Sequence, residues 1–164
     1  MAQPLLAIPL DISPIAPPLL FQGSRPPLGS ALRLAGIDVL VLCDNDFQPR
    51  SPEFDGVHVI HAPMRDEFVP LRQDNWEQAR DASLAAAQLM RRNGARVLTT
   101  CRMGWNRSAF VNALILHRTL GMSGRQAVAL IKARRPRTLQ NPHFVRALEQ
   151  IQEPKPRPSS GRRR

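Results

Sequence analysis

The stretch that decides the fold runs from Val97 to Ala109 and reads Val-Leu-Thr-Thr-Cys-Arg-Met-Gly-Trp-Asn-Arg-Ser-Ala. Its apolar, β-branched beginning predicts a buried strand from Arg96 to Thr100. The apolar run from Arg107 to Leu120, followed by Gly121, predicts a helix with a glycine at its end. Cys101 therefore lies where a strand ends, in a short loop that leads into the beginning of a helix.

This loop carries the residue types that bind a tetrahedral dianion. Backbone N–H groups between a strand end and a helix N-terminus point to one place, and the helix dipole adds positive potential there. The same surroundings favour a thiolate at Cys101 over a thiol. Gly104 allows a tight loop, Arg107 can donate two hydrogen bonds to a phosphate, and Ser108 can donate its hydroxyl to the thiolate. We predict a phosphate loop with Cys101 as nucleophile and Arg107 as phosphate ligand; a structural cysteine near an unrelated arginine is the alternative.

Strands and helices alternate on both sides of this loop. Two further strands are predicted, Asp38 to Cys43 and Val57 to Ile60. The predicted helices are Gly29 to Gly36, Asp74 to Arg92, Ser123 to about Arg134, and Asn141 to about Ile151. Such alternation predicts an α/β fold with a central, mostly parallel sheet flanked by helices.

Several helix ends have recognisable capping residues. Asp74 with Glu77, and Ser123 with Gln126, have the spacing of capping boxes. Asn141 followed by Pro142 predicts an N-cap with proline in the first turn.

Length and composition favour one soluble domain with irregular ends. The chain has 164 residues, which fit a single domain. We predict a Pro-rich, irregular N-terminal segment over residues 1–19, a catalytic domain over 20–152 and a basic, disordered tail over 153–164. No apolar run is long enough for a membrane span. Two cysteines do not form a disulfide framework, which favours a reducing cytoplasm.

A net charge of +10 suggests an anionic partner. The arginines are spread along the chain and tyrosine is absent, so an aromatic platform for nucleic acid is not expected. Nucleic acid therefore stays open as a partner but is disfavoured.

The segment Cys101-Arg102-Met103-Gly104-Trp105-Asn106-Arg107-Ser108 resembles the signature loop of the protein-tyrosine/dual-specificity phosphatase superfamily. Weaker likenesses occur in the expected order at residues 20–24, 32–42, 134–136 and 141–144. The resemblance implies hydrolysis of phosphomonoesters, mainly protein phosphotyrosine with phosphoserine or phosphothreonine also open, through a phosphocysteine. It implies a phosphorylated protein as substrate and neither a cofactor nor a metal; the oligomeric state stays open.

The resemblance also implies roles for single residues. Cys101, Arg107 and Ser108 would be catalytic, and the loop residues Arg102, Met103, Gly104, Trp105 and Asn106 would bind the substrate phosphate. The general acid of the family lies on a loop after the strand that precedes the long helix. Asp66 fits that place, and Asp74 is the alternative.

One departure from the family pattern stands beside the nucleophile. The position before Cys101 usually holds histidine and here holds Thr100, which leaves open how readily Cys101 ionises. Two other classes therefore remain: a phosphatase-like module that binds phosphate with little turnover, and an RNA 5′-phosphatase or phosphoinositide phosphatase. Some family members also have a cysteine near the position of Cys43 that forms a disulfide with the oxidised nucleophile; a buried, unreactive Cys43 is the simpler interpretation.

Overall fold

A computed structural model describes residues 10–155 of the chain. The strands are β1 (Ile12–Ala16), β2 (Leu20–Gly23), β3 (Val39–Asp44), β4 (His58–Met64) and β5 (Val97–Thr100). The α-helices are α1 (Ala31–Leu34), α2 (Gln73–Asn93), α3 (Arg107–Leu120), α4 (Gly124–Arg134) and α5 (Pro142–Glu149), and a 3-10 helix covers Ser51–Phe54.

The strands form one five-stranded sheet in the order β1-β2-β5-β3-β4. β1 pairs with β2 in antiparallel fashion, and the other three pairings are parallel. The predicted α/β fold with a central, mostly parallel sheet is therefore confirmed. The parallel pairings bring the carboxyl ends of β5, β3 and β4 to one edge of the sheet, which is where such folds place their binding sites.

Helices cover both faces of the sheet. In β3, Val39, Val41 and Cys43 point into the larger core with α2, α3, α4 and α5, while Leu40 and Leu42 point into a smaller core closed by α1 and the 3-10 helix. This two-residue alternation explains why β3 reads as a continuous apolar run, because it is buried on both faces.

The helix ends agree with most of the predicted caps. The Ser123 hydroxyl accepts from the Gln126 amide in a complete capping box, and the Asn141 side chain accepts from the His143 amide at the start of α5. Gly94 and Gly121 end α2 and α3 in the left-handed conformation. The predicted Asp74–Glu77 capping box is wrong, because α2 begins one residue earlier, at Gln73, and Arg72 occupies the N-cap position.

The sequence prediction also failed at the N-terminal end. Residues 1–19 were expected to be irregular, but Ile12–Ala16 forms β1 at the edge of the sheet. Proline is tolerated there because an edge strand leaves some N–H groups without a ladder partner. Residues 1–9 and 156–164, with most of the predicted basic tail, lie outside the described residues. Between residues 10 and 155, no helix combines the length and apolarity needed to cross a membrane.

Candidate active site

The phosphate loop predicted from the sequence connects β5 to α3. Gly104 in this loop has φ +68°, and a Cβ there would lie 2.5 Å from the carbonyl carbon and oxygen of Gly23. Neither the backbone angle nor the space accepts a side chain, so this position requires glycine. The loop therefore packs directly on the end of β2.

Two side chains fix the direction of the loop carbonyls. The Gly104 carbonyl accepts from Gln22 Nε2 and from Arg135 Nε, each at 2.9 Å. Arg135 Nη2 also donates to the Met103 carbonyl at 3.1 Å. Since these carbonyls are directed toward Gln22 and Arg135, they are not free to turn into the loop, where an anion would repel them.

Arg135 connects the loop to the N-terminal strand region. Its Nη1 and Nη2 donate to the two carboxylate oxygens of Asp11, at 2.8 and 2.6 Å. The hydrogen bond from Arg135 is the main reason that the pKa of Asp11 is lowered. A bidentate pair of this kind restrains the guanidinium as a plane, so Asp11 orients the group that holds the loop.

Cys101 is almost buried and faces a hydroxyl. Its side chain belongs to a residue that is only 3% exposed, and its Sγ lies 3.3 Å from the Oγ of the fully buried Ser108. Thr100, the residue in the usual histidine position, donates its hydroxyl to the Val41 carbonyl at 3.4 Å. Thr100 is thus used within the sheet and turned away from the loop.

Cys43 lies close to this nucleophile position. Leu42 of β3 pairs with Thr100 of β5 in the parallel register. Cys43 and Cys101 are the residues that directly follow this pair. Both are free cysteines. Burial raises the pKa of the Cys43 thiol well above its usual range, which keeps Cys43 unreactive as long as it stays enclosed.

The nitrogens of the Arg107 guanidinium group have different surroundings. Its Nη1 lies within hydrogen-bond distance of Asp44 Oδ1 (3.1 Å), Asn45 Oδ1 (2.9 Å) and the Met64 carbonyl (3.1 Å). Its Nε is buried and has no hydrogen-bond partner among the described residues. A buried guanidinium N–H without a partner is costly, so this donor is suited to an anion that enters the loop.

Asp44 lies between two arginines at the end of β3. Arg107 contacts its Oδ1, and Arg25 Nη2 donates to its Oδ2 at 2.7 Å. Burial alone would raise the pKa of Asp44, but the bond from Arg25, the Asp46 amide and the charge of Arg107 lower it below its ordinary value. Asp44 is therefore a carboxylate at neutral pH, and its contact with Nη1 orients the Arg107 guanidinium.

Asp66 reaches the same place from the loop after β4. Its Oδ2 accepts from Asn106 Nδ2 at 2.8 Å, and its Oδ1 accepts from Asn141 Nδ2 at 2.9 Å. Asp74, the alternative acid, instead contacts Arg72 in the first turn of α2, with 61% of its side chain exposed. Of the two candidates, Asp66 alone lines the cavity beside Cys101.

The cavity has a volume of about 140 Å³. Its lining consists of Asp66, Cys101, Arg102, Met103, Trp105, Asn106 and Arg107. Arg102 and Met103 are exposed at its rim, and Trp105 is partly buried. Gly104 and Ser108 support the loop from outside the lining, so the nine residues predicted from the sequence lie together.

A strand, a loop with a cysteine at its start and an arginine at its end, and a carboxyl group from the loop after β4 form the arrangement that defines the cysteine-based phosphatases as a class. The family model described as "Dual specificity phosphatase, catalytic domain" matches residues 20–154. This chain belongs to that family and is a cysteine-based protein phosphatase.

Individual relatives support the same family. The chain is 29% identical over 147 residues to dual specificity phosphatase 28 of Homo sapiens, covering 86% of this chain and 81% of the relative. The crystal structure of the human protein has 27% identity and a TM-score of 0.67, over 87% of this chain and 95% of that one. The crystal structure of a mouse putative dual specificity phosphatase complexed with zinc tungstate has 27% identity and a TM-score of 0.65, over 92% and 91% of the two chains.

Sequence reasoning gave no site role to Arg25, Asp44, Asn45, Arg135 or Asn141. A signal for Asp44 and Asn45 did exist, because they follow a buried parallel strand and the carboxyl ends of such strands meet at one edge. Arg135 and Asn141 lie after α3 and contact the site only through the packing of α4 and α5. The family likenesses at residues 134–136 and 141–144 marked both positions, but no local pattern reveals the contacts themselves.

Proposed function

We propose that this phosphatase hydrolyses protein phosphomonoesters, phosphotyrosine first and phosphoserine or phosphothreonine in addition, through a phosphocysteine on Cys101. The observation that carries the proposal is the shared cavity of Cys101, Asp66 and Arg107, with the Arg107 Nε buried and without a partner between residues 10 and 155. A thiol, a carboxyl group and an unpaired cationic donor at one cavity are the three groups that this reaction requires.

In the first step the Cys101 thiolate attacks phosphorus and forms a sulfur–phosphorus bond while the ester phosphorus–oxygen bond breaks. The proton of the Asp66 carboxyl passes to the leaving oxygen, so the alcohol departs neutral. The phosphoryl oxygens bind the loop amides and Arg107, and Asp44 holds the Arg107 guanidinium in place before the substrate arrives. Ser108 Oγ lies 3.3 Å from Cys101 Sγ and donates its hydroxyl to the sulfur in the second step, in which that sulfur is the leaving group.

In the second step water attacks phosphorus and the sulfur–phosphorus bond breaks. The Asp66 carboxylate takes one proton from the water, inorganic phosphate leaves, and the Cys101 thiolate is restored. A positioned acid and base of this kind contributes roughly 10²–10⁴-fold to the rate of each step.

Two further observations support a tetrahedral oxyanion as the ligand and the cytoplasm as the compartment. The mouse relative was solved with zinc tungstate, and tungstate is a tetrahedral oxyanion of the kind that the loop would bind. The free thiols of Cys43 and Cys101 support a reducing compartment, and we place the reaction in the cytoplasm. We assign catalysis to residues 20–152 and leave the basic residues 153–164 outside it.

The test compares phosphate release from matched phosphotyrosine, phosphoserine and phosphothreonine peptides by the native chain, Cys101→Ser, Asp66→Asn and Cys43→Ala. We expect Cys101→Ser to be inactive and Cys43→Ala to keep activity, because only Cys101 lines the cavity. Asp66→Asn should lose roughly 10²-fold or more on phosphotyrosine. With an activated aryl phosphate, mass spectrometry of Asp66→Asn should detect one phosphoryl group on the peptide that contains Cys101.

Three results would contradict the proposal in different ways. Turnover by Cys101→Ser would exclude the phosphocysteine. A native chain that binds vanadate but releases no phosphate would point to a binding module, with Thr100 as the first residue to examine. If the chain releases phosphate faster from the 5′ end of a short RNA than from any phosphopeptide, the substrate would be RNA.

A further inference from the structure

Two asparagine side chains contact both oxygens of the Asp66 carboxyl. Asn106 belongs to the phosphate loop and Asn141 precedes α5, so the two donors come from separate parts of the chain. Neither donor is exposed, since Asn106 is 7% and Asn141 0% accessible, whereas Asp66 itself lies on an exposed loop. An exposed loop carboxyl that is bound by two buried amides is unlike an ordinary solvated aspartate.

The orientation of each amide is determined by what its oxygen accepts. Asn106 Oδ1 accepts from the backbone N–H groups of Gln140 (2.9 Å) and Asn141 (3.1 Å). Asn141 Oδ1 accepts from the His143 N–H at 3.1 Å. With the oxygens fixed by N–H donors, the NH₂ groups must point toward Asp66, because the flipped amides would place donors against donors.

The remaining contact of Asn141 restrains the backbone next to Asp66. Its Nδ2 also donates to the Glu67 carbonyl at 2.9 Å. The carboxyl and the following peptide are thus held by the same amide group. Each Asp66 oxygen accepts one amide N–H and keeps a second lone pair, so the carboxyl can carry and release a proton while it stays bound.

We propose that Asn106 and Asn141 are positioning residues that hold the Asp66 carboxyl at the cavity of Cys101, in the geometry in which it protonates the leaving oxygen. This inference rests on the proposed role of Asp66 as general acid. Because one donor belongs to the phosphate loop itself, the distance between acid and bound phosphate is set before the substrate enters. A merely structural role would stabilise the loop without a specific effect on proton transfer.

The test uses Asn141→Ser and Asn106→Ser, with two aryl phosphates that differ in their need for an acid. Serine at 141 keeps the N-cap to His143 but removes the donor to Asp66. Phenyl phosphate needs a proton on its leaving oxygen, whereas 2,4-dinitrophenyl phosphate leaves as a stable anion. Gln140→Ala is the matched control, since Gln140 contributes its backbone N–H and its side chain is exposed.

We expect kcat for phenyl phosphate to fall roughly 10–100-fold in both serine variants, because a displacement of about 1 Å can cost that much. For 2,4-dinitrophenyl phosphate kcat of Asn141→Ser should stay within about threefold of the native chain, since the acid contributes little there. Vanadate affinity of Asn141→Ser should be unchanged, and Gln140→Ala should behave like the native chain. In an Asp66→Asn background, neither serine substitution should reduce phenyl phosphate turnover further.

Equal losses of Asn141→Ser on the two substrates, or its additional loss in the Asp66→Asn background, would overturn the inference and leave a structural role. A selective loss in Asp66→Asn without one in the serine variants would refute the positioning role and leave Asp66 as the acid. No selective loss in Asp66→Asn would refute the acid, and the positioning role with it. If Asn141→Ser does not fold, Asn141→Thr removes the same donor and keeps an N-cap hydroxyl.

Discussion

Asp44→Asn is the substitution that best examines how Arg107, the proposed phosphate ligand, is held. Asp44 accepts from Arg107 at 3.1 Å and from Arg25 at 2.7 Å. The side chains of the Asp44–Arg107 pair are 3% and 9% exposed, so that charge pair is screened little by water. The asparagine keeps the shape of the side chain and removes its charge.

The expected loss of stability follows from the two contacts. Removing the charge from a hydrogen bond to a buried guanidinium costs about 1.5–3 kcal/mol. The complete loss of a buried partner, about 3–5 kcal/mol, is an upper bound, because Asn45 and the Met64 carbonyl still contact Arg107. The contact with Arg25, whose side chain is 39% exposed, adds no more than about 1 kcal/mol. We expect the free energy of unfolding at pH 7 to fall by about 2–4 kcal/mol.

The lowered pKa of Asp44 determines how the stability difference between the native chain and Asp44→Asn changes with pH. The pKa of Asp44 is lowered in the folded chain, so its contribution to stability is fully present above the unfolded value of about 3.9. That contribution is lost as the pH falls through the folded pKa. The native chain should therefore lose its advantage over Asp44→Asn when the pH is lowered below about 4.

Urea unfolding of both chains at pH 7 and at pH 3 measures this difference. Asp81→Asn is the control, because Asp81 pairs with Arg80 on the surface with 71% of its side chain exposed, and little change is expected. A stability difference below about 1 kcal/mol at pH 7, or one that is the same at both pH values, would refute the assignment of Asp44 as a buried charged partner of Arg107.

Two other substitutions examine the loop itself. Gly104→Ala requires a residue with a side chain at φ +68°, which costs about 1–2 kcal/mol before the overlap with the Gly23 carbonyl is counted. We expect a lower melting temperature and loss of vanadate binding, and retained vanadate affinity would show that the loop tolerates a Cβ. Arg107→Lys keeps the charge beside Asp44 but loses the planar donors, so thermal stability should change little while kcat/KM for an aryl phosphate falls roughly 10²–10³-fold. Steady-state kinetics measures this, and a loss below about tenfold would mean that charge alone suffices.

The loop was predictable because its chemistry is contiguous. A strand, Cys101, Gly104 and Arg107 occur within a few residues, and each has a local physical reason to be there. The boundaries of β3 and α3 followed from the same apolar pattern, to within one residue. Local sequence therefore contained most of what fixes the loop from Cys101 to Ser108.

The acid half and the edge of the sheet depend on contacts between distant residues. Asn141 was predicted as an N-cap from its local sequence, but its bond to Asp66 exists only after α5 has packed beside the loop. Asp74 had the spacing of a cap, yet Arg72 competed for its carboxylate and the helix began earlier. The β1 strand was missed because Pro14 suggests irregular chain, while on an edge strand it pairs with Phe21 at little cost.

The pair between Asp11 and Arg135 bears on where this phosphatase can be shortened. The family match begins at residue 20, and a fragment cut at that point would retain the complete loop from Cys101 to Ser108. It would nevertheless lose the carboxylate that orients Arg135, and β2 would become a bare edge open to pairing with another molecule. Asp11 and β1 thus support the loop from outside the family match, and trimming the chain to its recognisable domain would weaken the very loop by which that domain is recognised.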